Sequence, residues 1–82
     1  MKYNKIIALL SLYGKNLTDL AEHMGVAKQQ VTNKKKNDSF KADDLIKAAD
    51  LTGTQLAFID EKGDAVIKFD MSDLQKDDKK ST

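Results

Sequence analysis

The 82 residues of this chain predict a mainly α-helical domain of four to five helices closed by a C-terminal β-hairpin. Three observations carry that expectation. Apolar residues recur at i, i+3, i+4 and i+7 in two consecutive short stretches, the spacing of a helix with one buried face. A single glycine, Gly25, then separates the second stretch from a third whose outer positions are polar. After Gly53 the period shortens from that of a helix to that of a strand.

The first helix is expected from about Lys2 to Tyr13, with Ile6, Leu9, Leu10 and Tyr13 along its apolar stripe. Its start has the outline of a signal peptide, but Ser11 interrupts the apolar run and Gly14-Lys15 stops it. No small-residue cleavage site follows, so an amphipathic helix is the better reading. Asn16 is suited to cap the second helix, because its side chain can accept a backbone N–H two or three residues on. Leu17, Leu20, Ala21 and Met24 repeat the stripe, leaving Thr18, Asp19, Glu22 and His23 in water. Gly25 suits the left-handed conformation that ends a helix sharply.

The third helix, from Ala27 to about Lys35, has only Ala27, Val31 and a lysine stem at Lys34 or Lys35 to bury. Val26 and Val31 are placed to plug it against the second helix. Lys28, Gln29, Gln30, Thr32, Asn33 and Lys36 stay outside, which is far too polar for a core helix. Two helices meeting at one glycine, the second presenting hydrogen-bonding side chains, form the outline of a helix-turn-helix. Asn37-Asp38-Ser39 reads as a loop and Phe40 as an aromatic anchor. A fourth helix follows from about Ala42 to Leu51, with Leu45, Ala48, Ala49 and Thr52 inward and Asp43 and Asp44 at its positive end.

Residues 55–60 and 65–70 read as strands joined by Glu61-Lys62-Gly63-Asp64, a turn that Gly63 suits. Residues 71–82, rich in Lys, Asp, Ser and Thr, read as a frayed or disordered tail, with only a weak capping signal at Ser72 and Gln75. The chain thus divides into a helical unit at 1–54, a hairpin at 55–70 and a tail at 71–82. So small a core is only marginally stabilising. A lone hairpin is weak too, so this one is expected to lie against the helices or to pair with a second copy through Leu56, Phe58, Ile67 and Phe69.

Composition narrows the function. Cysteine is absent, which excludes disulfides and thiolate zinc sites and fits a reducing, cytoplasmic setting. No segment approaches the ~20 apolar residues of a membrane span. Residues 1–41 hold eight lysines against three acids, whereas residues 42–82 hold six lysines against ten acids. A chain so polarised can turn a basic face toward a polyanion. All fourteen basic residues are lysine, so an arginine fork onto guanine is ruled out.

The run from Asn16 to Lys34, with Leu20-Ala21, Met24-Gly25-Val26 and Val31, resembles the Cro and repressor type of helix-turn-helix. That family embraces lambdoid phage regulators and the xenobiotic-response-element-like transcription factors. The resemblance extends more loosely through Phe40, Leu45, Ala49 and Gly53. It implies a lambda-repressor-like fold and a small homodimeric transcriptional repressor of phage or mobile-element type. Its partner would be double-stranded DNA carrying a pseudo-palindromic operator. Carried over by position, the base-reading slots fall on Lys28, Gln29, Thr32 and Asn33, with Gln30 at the edge. Phosphate contacts fall on Asn16, Lys34, Lys35 and Lys36. Three positions depart from the family pattern: Leu17 replaces a phosphate-binding glutamine, Ala27 a serine or threonine, and Lys41 the usual cap of the fourth helix.

Other chemistry finds little support. His23, the one histidine, is expected on the wet face of its helix, as a surface residue. Asp43-Asp44 is explained by a helix N-terminus and Asp60-Glu61 by a turn, not by acid/base work. No serine has a base nearby in the pattern and no glycine-rich phosphate cradle exists, so neither an enzyme nor a cofactor is expected. The alternative from another class is a helix-turn-helix scaffold used for protein interaction, an antirepressor or inhibitor of another complex, with the hairpin as its contact surface.

Overall fold

The computed structural model describes residues 2–74. Four helices, α1 (Lys2–Leu12), α2 (Leu17–Met24), α3 (Lys28–Asn37) and α4 (Ala42–Thr52), precede strands β1 (Leu56–Ile59) and β2 (Ala65–Phe69). A single 3-10 turn, Met71–Asp73, follows the hairpin. The fold is therefore the mainly helical one expected.

Ile6 and Leu10 from α1, Leu20 and Ala21 from α2, Val31 from α3, Phe40 from the loop after α3 and Ala48 from α4 form one buried cluster. Every helix contributes, but unequally: α3 supplies Val31 alone. Tyr13 does not join the core. The helix stops at Leu12, so Tyr13 falls beyond it and is 51% exposed. The aromatic contribution of α1 comes instead from Tyr3, half-buried at the other end, whose ring stacks on Phe40 at 6.5 Å between centroids.

Both ends of α2 are satisfied locally. The Asn16 side chain accepts from the Asp19 N–H, and the Asp19 carboxylate accepts from the Asn16 N–H, a reciprocal capping box. At the other end Gly25 adopts φ 75°, and the Val26 N–H reaches back to the Ala21 carbonyl. That backbone reversal lets Val26 pack on the core while Val31 plugs its centre.

Helix α3 starts one residue later than expected, with Ala27 as its cap, and runs on to Asn37. The extension ends at Asp38, which takes the left-handed conformation at φ 49° that aspartate tolerates better than most residues. In α4, Ala48, Ala49 and Thr52 are buried as expected, while Leu45 is only half-buried. Ile46 is buried as well, on the flank of α4 that meets the hairpin root. Thr52 survives burial because its hydroxyl donates to the carbonyls of Ala48 and Ala49.

The strands are antiparallel, pairing Leu56 with Phe69, Ala57 with Lys68 and Phe58 with Ile67. The register then slips, so Ile59 pairs with Ala65 and Val66 is the extra residue. In the turn, Asp60 Oδ1 accepts from the N–H groups of Lys62 and Asp64. The root of the hairpin and the 3-10 turn lie against α4. Residues 71–73, expected as part of a tail, are thus ordered: the Asp70 carboxylate accepts from the Ser72 N–H and caps the turn. The Ser72 hydroxyl, then its N–H, holds the Asp70 pKa below the usual carboxylate value. The expected tail from Gln75 to Thr82, including Gln75 of the capping signal, lies outside the described residues.

An added Cβ at Gly25 would meet no atom within 4 Å, so only the positive φ resists substitution. Gly25→Ala is expected to lower the unfolding free energy by about 1–2 kcal/mol, read from urea melts, through left-handed strain alone.

Candidate nucleic-acid interface

Val31 fixes the orientation of α3. At about 100° per residue, Gln29 and Asn33 each lie about 160° from Val31 and therefore point almost directly away from the core. Both are exposed, and so is Lys36 beside them. Their amides touch: Gln29 Nε2 donates to Asn33 Oδ1 at 3.1 Å. Thr32 is half-buried at the border of this face, and Lys28 is exposed at its N-terminal end.

Two of the residues expected to face a ligand have structural partners instead. Gln30 Oε1 accepts from the Ala27 N–H at 3.1 Å, the returning half of a capping box. Ala27 cannot supply the forward half, so Gln30 carries the side-chain capping by itself. Lys34 turns inward, its ammonium 3.1 Å from Asp44 Oδ2. Asp44 is buried and also accepts from the Lys41 N–H, so its carboxylate both caps α4 and anchors α3. Lys41 contributes no side-chain cap of its own.

Lys35 and Lys36 remain exposed in the last turn of α3, where cations complement the negative end of the helix dipole. The Lys35 ammonium lies 5.2 Å from the Tyr3 ring centroid, a cation–π contact joining α3 to α1. Asn16, though its oxygen is engaged in capping, is exposed beside Lys28: both line a recess of about 410 Å³ together with Lys15 and Thr18. Lys15 was not singled out by sequence reasoning, because nothing local marks it. Only the return of the chain through Gly25 brings it near Lys28.

His23 also has more structure than expected. Its Nε2 lies 2.8 Å from Asp50 Oδ2, tying α2 to α4. Among the described residues no group of three or more histidines, cysteines or acids is disposed to hold a metal ion. Nor is any described helix long and apolar enough to cross a membrane.

The helices and the glycine turn that create this face are those of a known family: residues 6–64 match the bacteriophage CI repressor helix-turn-helix domain. The chain belongs to that family. The CI-type helix-turn-helix is a DNA-binding domain of transcriptional regulators rather than an enzyme family. No curated protein and no solved structure matches the chain.

Because Asp44 serves two partners, Asp44→Ala is expected to destabilise this CI-type domain by about 1–3 kcal/mol in urea titrations. Lys34→Ala leaves the Asp44–Lys41 contact intact and should cost clearly less in the same measurement.

Proposed function

We propose that the protein is a small homodimeric, sequence-specific repressor acting in the cytoplasm, which lays α3 in the major groove of its operator. The observation that carries this reading is the outward face of α3, where Gln29, Asn33 and Lys36 lie opposite the only buried residue of the helix. Amides offer donor and acceptor side by side, which suits adenine; the Lys28 ammonium can donate to guanine O6 or N7. Lys28 and Thr32 complete the base-reading set. No acid occurs between Gly25 and Asn37, so nothing on the helix repels phosphate.

Phosphate contacts are assigned to Lys35 and Lys36 at one end of α3, and to Asn16 and Lys15 around the recess at the other. Gln30 and Lys34 are engaged with Ala27 and Asp44 and are left out of the DNA-contacting set. Regulation would come from occupancy of a promoter.

Dimerisation is assigned to the outer half of the hairpin. Phe58 and Ile67, paired across the strands, are 62% and 58% exposed, and Ile59 and Val66 are exposed with them. Leu56 and Phe69, by contrast, are half-buried at the root and serve the monomer. A two-stranded sheet also leaves both edges unpaired, an invitation to another strand. Self-pairing about a two-fold axis would set two α3 helices one DNA turn apart, about 34 Å. The same exposed apolar surface supports the second reading, a helix-turn-helix module that captures another protein.

Selection of duplexes from a random pool tests the proposal: a two-fold symmetric motif is expected, and enrichment of none overturns it. Lys36→Ala should weaken binding to all sequences alike and reduce the slope of log K against log salt by about one. Ile67→Asp is expected to convert a dimer to a monomer in sedimentation at micromolar concentration. A wild-type protein that is monomeric under those conditions would remove the role given to the hairpin.

A further inference from the structure

The contact between Gln29 and Asn33 determines more than the shape of the reading face. Two amides on an exposed helix surface are normally free to rotate, and each can offer either its oxygen or its NH₂ to a base. Here the Gln29 Nε2–H is given to Asn33 Oδ1, so one donor of the first and one acceptor site of the second are spent on each other. The orientation of both amides is thereby coupled. What remains for a ligand differs at the two positions.

We propose that Gln29 and Asn33 read DNA as one unit of fixed polarity, Gln29 facing an adenine and Asn33 an acceptor-bearing base one or two base pairs away. The inference rests on α3 being the DNA-reading helix. A primary amide carries two N–H bonds, one on the side of its oxygen and one directed away. The Gln29 edge made of Oε1 and the nearer N–H matches adenine, accepting from N6 and donating to N7, while the other N–H holds Asn33. Asn33 keeps both Nδ2–H bonds, so its unspent capacity favours the acceptors guanine O6 or N7, or thymine O4. Their Cα atoms are four residues apart, about 6 Å along the helix, which is between one and two base-pair steps.

Neighbouring residues reinforce this assignment by being occupied. Gln30 is engaged with Ala27 and Lys34 with Asp44, so neither competes for the Gln29 or Asn33 amides. A paired Gln29 also enters the groove with less rotamer freedom to lose than a solitary one. Loss of Asn33 should therefore harm recognition at a base that Asn33 itself does not touch. An independent pair of readers would behave differently.

The test compares motifs selected at low salt from random duplex pools by the full-length wild type, Gln29→Ala, Asn33→Ala and Asn33→Asp, with affinities for the wild-type motif. Wild type should show an adenine column within two positions of a guanine or thymine column. Asn33→Ala should lose about fivefold or more of the preference in both columns. Asn33→Asp preserves an acceptor for Gln29 but removes the donors, so it should keep the adenine column and lose the other. The double variant Gln29→Ala/Asn33→Ala should bind within about twofold of the weaker single variant. Singles whose losses multiply in the double, Asn33→Ala that relaxes one column only, or Asn33→Asp that loses the adenine column each overturn the coupled unit while leaving α3 as the reader. A wild-type selection with no motif overturns the reading of α3 as well. All substituted positions are exposed, so unchanged thermal melts should accompany every variant.

Discussion

A ten-residue helix held by one buried side chain is the constraint on which this structure turns. Val31 is fully buried and is all that α3 gives the core. Burying one valine contributes only about 2 kcal/mol, too little to set the position and roll of a helix whose remaining surface is wet. The remaining restraint comes from the ends and flanks of the helix. Gly25 reverses the chain before it, and Gln30 accepts the N–H of its cap residue, Ala27. Lys34 reaches Asp44 on α4, and Lys35 covers Tyr3 on α1. A protein surface that must stay hydrophilic to meet nucleobases is thus positioned chiefly by polar contacts around its rim.

That economy has a counterpart in the hairpin. Its root is joined to α4 through Leu56, Phe69 and the 3-10 turn, beside the buried Ile46. Its outer half projects past the helices with Phe58, Ile59, Val66 and Ile67 uncovered. The register slip between Phe58 and Ile59 lies within that outer half, just past the exposed Phe58–Ile67 pair. The hairpin therefore divides into a part that completes the monomer and a part with unmatched apolar surface, along a boundary of about one residue pair.

Much of the reading face was legible in the residues. The spacing of Leu17, Leu20, Ala21 and Met24, the lone Gly25 and the apolar Val31 determine where α3 begins and which side it buries. Gln29, Asn33 and Lys36 then point outward by helical geometry alone. The roles of Gln30 and Asp44 also carry a local signal. Each lies three residues after a cap position that lacks a capping side chain, which is where a side chain can bond back to the cap N–H.

What the residues could not reveal involves distance in sequence. Lys34 and Asp44 are ten positions apart, His23 and Asp50 twenty-seven. Nothing in either segment says that the two will meet, since an exposed and a paired lysine read identically in a chain. Tyr13 and Tyr3 show the same limit: both fit the first stripe, and only the helix end at Leu12 and the proximity of Phe40 decide between them. The sequence by itself determined the elements, the turn and the outward set of α3, because periodicity and glycine conformation act over a few residues. Tertiary structure alone decided which polar groups pair between helices, because ion pairs and ring contacts depend on how separate helices pack.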